Sequence, residues 1–126
     1  MKRSWFGFFL LAALLLGSLL VTKRMVDIHD PVESRLLQSA GMAMEGNWHQ
    51  AEDLFQRAEA DWKKHARFRG CFADHNPVEE IDASFAMLRI TCVSRDGVAF
   101  AGGCRSLARQ VAAVGEAHEL VWWNLF

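Results

Sequence analysis

The sequence predicts an all-α protein, an N-terminal transmembrane helix followed by an antiparallel four-helix bundle. Three observations predict it. Residues Trp5 to Val21 form an unbroken apolar run whose only polar side chain is Ser18, bracketed by Lys2-Arg3 and Lys23-Arg24. Beyond that run, apolar residues recur at spacings of three and four, the period of helices that pack on one face. Short turn signals separate these stretches, and short connections make consecutive helices antiparallel neighbours. The expected division is 1–24 for the membrane anchor with its basic flanks and 25–126 for the bundle.

The run from Trp5 to Val21 rises roughly 26 Å as a helix at ~1.5 Å per residue, a short but adequate span for a hydrocarbon core of ~30 Å. Its flanking cations can snorkel to the headgroups, and Trp5 sits where an interfacial aromatic is favoured. A cleaved signal peptide is the rival reading, since Met1-Lys2-Arg3 makes a positive start. The apolar stretch is long for a signal, and Leu19, Leu20 and Val21 stand where small residues would mark cleavage, so an uncleaved anchor is preferred. Two basic residues on each side give no orientation by charge. The expected location is the cell membrane, single-pass, with the N-terminus cytoplasmic and the domain extracytoplasmic.

The helices of the bundle follow in order. Asp30-Pro31-Val32-Glu33 and Asn76-Pro77-Val78-Glu79 each place a cap residue before proline, with Glu three residues after the cap, which predicts two helix starts. The first of these helices runs from about Pro31 to Glu45, with a loose stripe of Leu36, Ala40 and Ala43. Gly46 stops it, and Asn47 starts the second, whose stripe is Trp48, Ala51, Phe55, Ala58, Trp62 and His65. The third carries Val78, Ile81, Phe85, Leu88 and Cys92. The fourth follows a turn at Asp96-Gly97 and carries Cys104, Leu107, Val111, Val114, His118 and Val121. Gly102 and Gly103 weaken its start by about 1 kcal/mol each, so a late or frayed beginning is expected. The segment from Gly46 to Ala58 also resembles half of a tetratricopeptide repeat, but no second copy accompanies it.

After residue 24 there are 10 Lys/Arg against 15 Asp/Glu, a formal charge of −5. That balance argues against nucleic acid and against docking on anionic lipid beyond the flanks of the anchor. Cys71, Cys92 and Cys104 contain no C-x-x-C; a Cys92–Cys104 bridge and three buried or half-buried thiols are the two readings, the second preferred.

From Trp48 onward the pattern resembles the bacterial domain-of-unknown-function family 4363. The resemblance rests on Trp48, Ala51 and Trp62, on Phe72-x-x-His75, on Glu79, Ile81, Asp82 and Leu88, and on the terminal Asn124-Leu125-Phe126. It implies a small membrane-anchored helical protein of Gram-positive spore-forming lineages with no assigned activity, and a YetF-like membrane protein as partner. The chain is richer in Cys and Gly and poorer in Lys and Glu than that pattern.

Antiparallel folding with turns near residues 46, 72 and 96 sets Trp62 opposite residue 30 and gathers His29, His65, His75 and His118 at the membrane-proximal end. Metal or proton sensing is one reading of that grouping, and Cys71, Asp74, His75 and Glu79 have workable ligand spacing. Helix capping and hydrogen-bonded seam positions are the preferred reading. His75 is expected to bond a carbonyl at the end of the second helix and to pack on Trp62. Glu52, Asp53, Glu59 and Asp61 read as solvated carboxylates, and Lys63, Lys64, Arg67 and Arg69 as a solvated basic face. The terminal Trp122-Trp123-Asn124-Leu125-Phe126 can lie on headgroups, plug the bundle or dock in a partner.

No catalytic motif is present: there is no H-E-x-x-H, and Gly102-Gly103 is no phosphate loop. The expected function is therefore non-catalytic and cofactor-free, as an accessory or assembly partner of another membrane protein, held to lipid through Trp5 to Val21. The alternative is a small pH- or metal-responsive sensor using the membrane-proximal histidines. Trp48, Trp62, His75, Glu79, His118, Trp122, Trp123, Asn124 and Phe126 are the candidate interaction or structural residues.

Overall fold

A computed structural model describes residues 2–72 and 75–123, with side chains over residues 4–71 and 75–116. Five helices account for it: α1 (Lys2–Met44), α2 (Trp48–Lys64), α3 (Ala66–Phe72), α4 (His75–Ser94) and α5 (Gly97–Trp123), with no strand among the described residues.

The apolar run and the first bundle helix are one element. Helix α1 is 43 residues long and passes through Pro31 without ending. The helix start expected at Asp30-Pro31 is thus corrected, and the division expected after residue 24 falls inside α1. Packing explains the continuity. Met25, Ile28, His29, Val32, Leu36, Ala40 and Ala43 are all buried and keep one helical face across the proline. Pro31 itself is on the exposed face, where water can serve the carbonyl of residue 27 that loses its amide partner. N-terminal to Met25 the helix changes character. Its large apolar residues from Trp5 to Leu20 are exposed, and this segment is long and apolar enough to cross a membrane. Ser18 returns its hydroxyl to the Leu15 carbonyl at 3.0 Å, so the one polar side chain of the run is satisfied within the helix.

The turns follow from local chemistry. Gly46, at φ +79°, closes α1 in a Schellman arrangement: Asn47 N donates to Met42 O at 2.9 Å and Gly46 N to Ala43 O at 3.1 Å. Asn47 then caps α2 by accepting from Gln50 N. At the other end α2 stops at Lys64, and His65 separates it from the short α3. Helix α4 begins at His75, so Asn76 lies within the helix rather than capping it. Pro77 still falls in the first turn, where a missing N–H costs no hydrogen bond. Arg95, at φ 53°, ends α4, and the Asp96 carboxylate accepts from Ala99 N at 3.1 Å to start α5.

Helix α5 neither starts late nor frays at its glycines, against expectation. Gly103 faces α4, and a Cβ there would overlap the Leu88 side chain. The residue trades helix propensity for a close α4–α5 approach. Helix α1 packs against both α2 and α5, α4 packs against α5, and side chains join α2 to α4, which makes a four-helix arrangement. Small residues set the spacing, with Ala40, Ala51, Ala58, Ala101 and Ala108 fully buried. At the α1–α2 contact the Ser39 hydroxyl donates to the Ala51 carbonyl across 2.6 Å. Rings fill the centre: Phe55 lies 5.8 Å from Phe85 and 5.6 Å from Phe100. Each buried ring of this kind contributes about 1.5–3 kcal/mol.

Candidate functional site

The densest meeting of polar and aromatic side chains surrounds Trp62, in the last turn and a half of α2. Its indole is buried because the 55, 58, 62 stripe faces the core, yet its Nε1 needs an acceptor. Asp82, one residue past the buried Ile81 on α4, supplies it at 2.6 Å. The edge of His29, from α1, meets the ring at a centroid distance of 5.7 Å, and Phe85 lies 6.3 Å away. His29 is buried, and its Nδ1 is 2.6 Å from the Met25 carbonyl.

Arg69 completes the cluster. It lies on α3, seven residues or about two helical turns beyond Trp62, and its long side chain reaches over the indole. Its guanidinium carbon is 3.5 Å from the ring centroid, and its Nη2 donates to the Trp62 carbonyl. The side chain is only 1% exposed. Burial pulls its pKa down to about 10, opposed by the nearby charge of Asp82, so it remains a cation at neutral pH. Nε and Nη1 have no hydrogen-bond partner among the described residues.

Beside this group Glu59 is buried and accepts from Lys63 at 2.8 Å and from Arg89 at 2.7 Å, the latter tying α2 to α4. Arg35 and Asp61 pair across α1 and α2. A groove of about 340 Å³ opens over Trp62, Arg69, Asp82 and Arg89. Asp82 and Arg69 both bond to Trp62 and Arg89 pairs with Glu59, so the arrangement joins α1, α2, α3 and α4 at one end of the bundle. Glu59 and Arg69 are corrections, since neither belongs to a solvated face.

The remaining titratable groups are simpler. Burial, followed by the charges of Lys64, Arg24 and Arg69, holds His65 below its ordinary value. Cys92 and Cys104 are buried free thiols, whereas Cys71 is a free thiol on the surface. Burial pushes Cys104 up to about 12, opposed by the polar Ser39 beside it, and raises Cys92 with help from Glu52.

A family model described as Domain of unknown function (DUF4363) matches residues 19–125. The chain belongs to this family. The DUF4363 region takes in the last residues of the apolar run, the rest of α1 and the whole of α2 to α5. No curated protein and no solved structure matches the chain.

Within the DUF4363 region the two tryptophans of α2 stand at opposite ends of that helix. Trp48 is half-buried against Phe100 at 5.6 Å, and Trp62 anchors the cluster just described. His75 and Glu79 are exposed at the start of α4, and the histidine on Trp62 is His29 rather than the expected His75. The backbone at His118, Trp122 and Trp123 belongs to α5. The side chains of those three residues, and Asp74, Asn124, Leu125 and Phe126 altogether, lie outside the described residues. Among the described residues no group of three or more His, Cys, Asp or Glu could hold a metal ion. Asp82 escapes a reading by helical period because it acts from another helix, whereas Arg69, seven residues past Trp62, continues the buried stripe into α3. Glu59 had a signal, since it sits three residues before Trp62 on the buried stripe.

Proposed function

We propose that this chain is a non-catalytic, single-pass membrane protein that acts by binding, as an accessory or assembly partner of another membrane protein. The observation that carries the reading is the continuity of α1. One helix leads from a half whose large apolar side chains, Trp5 to Leu20, are exposed into the core of a bundle. Exposed apolar surface of that extent calls for lipid or for another protein. Met87, Ile90 and Val93 on the outer side of α4, exposed by 68%, 69% and 85%, give the bundle apolar surface of its own. A YetF-like protein is the partner that the family resemblance suggests.

The test is an affinity pull-down of tagged full-length protein from mildly solubilised native membranes. A stoichiometric integral membrane protein in the eluate supports the reading, and recovery of the bait alone counts against it. Deleting Asn124 to Phe126 is expected to keep helical content and abolish partner retention.

A pH- or metal-responsive sensor is the second reading, favoured by the burial of His29 against Trp62. It requires a melting temperature that moves between about pH 5 and 7.5, or on adding Zn²⁺, with the response lost in His75→Ala and His118→Ala. An invariant melt removes it.

A further inference from the structure

We infer that α3 and the adjoining end of α2 form a cationic foot that rests on the anionic phospholipid headgroups of the bilayer crossed by α1. The inference depends on the proposed membrane span, and it adds a lipid-binding surface on the bundle itself.

Position comes first. Ser39 meets Ala51, Arg35 meets Asp61 and His29 meets Trp62, so α1 and α2 run antiparallel. Carried toward the N-terminus, these pairings set Arg24 level with residues 66–72, the span of α3, and the charge of Arg24 is felt at His65. Arg24 stands only three residues beyond Val21, or about 4.5 Å along an unbroken helix. The headgroup layer is about 5–8 Å deep on each side of the hydrocarbon core. Whatever lies level with Arg24 on a neighbouring helix is therefore at headgroup height. Helix α3 also links the lower ends of α2 and α4, which makes it the floor of the bundle on that side.

Charge comes second. Lys23, Arg24, Lys64 and Arg67 are exposed on this side and have no ion pair among the described residues. The nearby carboxylates are engaged, Asp61 with Arg35 and Glu59 with Lys63 and Arg89. His65 feels Lys64, Arg24 and Arg69 together, which places these cations around one point. Of the other acidic groups at this end, Asp30, Glu33 and Glu116 line a separate cleft between α1 and α5, while Asp27 on α1 and Glu79 and Glu80 at the start of α4 are exposed. The net charge of −5 after residue 24 thus conceals a local cluster of cations, Lys64 and Arg67 beside Arg24, with the carboxylates placed around it on α1, α4 and α5. Clustered Lys and Arg beside a membrane span attract anionic lipid over roughly a Debye length.

Cys71, the exposed thiol of α3, reports on this surface directly. Full-length protein carrying a spin label at Cys71 would be reconstituted in phosphatidylcholine vesicles, and in vesicles of equal parts phosphatidylcholine and phosphatidylglycerol. Accessibility to lipid-soluble oxygen is read against a water-soluble nickel chelate. The label is expected to move toward the lipid in the anionic vesicles, to return at high salt, and to be indifferent to composition in the Lys64→Glu/Arg67→Glu variant. A label with equal accessibility in both vesicles overturns the inference, as does a shift that survives both salt and charge reversal. Alkaline carbonate separates the two readings. Extraction of the protein overturns the span and the foot together, whereas retention with a composition-independent label overturns the foot alone.

Discussion

At the scale of single residues, Trp62 concentrates the most consequences. Its Nε1 bond ends on Asp82, an exposed carboxylate that water can serve if the bond is lost. Trp62→Phe is therefore expected to cost about 1–1.5 kcal/mol, while Trp62→Ala, which also opens a cavity beneath Arg69, costs about 3–5 kcal/mol. Thermal melts of the two variants check the ratio. His65 sets a pH dependence of known sign. Burial, then the surrounding cations, hold the folded pKa below 6.5, so the unfolded chain takes up the proton first as pH falls. The stabilisation from keeping this ring neutral is whole above 6.5 and is lost as pH drops through the folded value. Melting temperature is expected to decline from pH 7.5 to 5, and less steeply in His65→Gln. The thiols divide in the same way: iodoacetamide is expected to modify Cys71 in the folded protein, and Cys92 and Cys104 only after unfolding, as mass spectrometry would show.

At the scale of elements, adjacent glycines in α5 should answer oppositely to one substitution. Gly102 is exposed with open space about it, so Gly102→Ala is expected to stabilise by about 0.8–1 kcal/mol through helix propensity alone. Gly103→Ala must displace Leu88 and is expected to forfeit that gain or reverse it, with recovery in the Leu88→Ala background. Equal melting temperatures for the two single variants would refute the packing account. The same pair shows what was legible beforehand. Periodicity located the buried faces of α2 and α4 residue by residue, because Ala51, Phe55, Ala58 and Trp62, then Ile81, Phe85, Leu88 and Cys92, follow from spacing alone. The turns at Gly46 and Asp96-Gly97 were equally readable from local chemistry, but the start of α5 directly at Gly97 was not, because Gly102 and Gly103 pointed to a late beginning. Pro31 misled because a proline after an Asp signals a helix start only when nothing across it rewards continuation. Here Met25 and Ile28, on the far side, are core residues. Arg69 was missed for another reason: it continues the 55, 58, 62 stripe at seven residues past Trp62, but its charge argued for solvent, whereas here the indole face and a backbone carbonyl receive it.

At the scale of the whole molecule, the continuity of α1 separates two truncations. Residues before Lys23 bury nothing in the bundle, so a fragment starting there is expected to remain fully helical by circular dichroism and to melt as the parent does. A fragment starting at Pro31 loses Met25, Ile28 and His29 and is expected to be destabilised by roughly 2–5 kcal/mol or more. Similar melts for both fragments would mean that the bundle begins at the proline after all. The unbroken helix also makes the bundle a pointer fixed to its own base. From Val21 to Met44 it projects about 35 Å, so a tilt of about 20° carries the Gly46 turn sideways by roughly 12 Å. A thick bilayer holds so short an apolar run upright, and a thin one lets it lean. Membrane thickness, a property of the lipid, is thereby converted into the lateral position of Trp48 and the far end of the bundle.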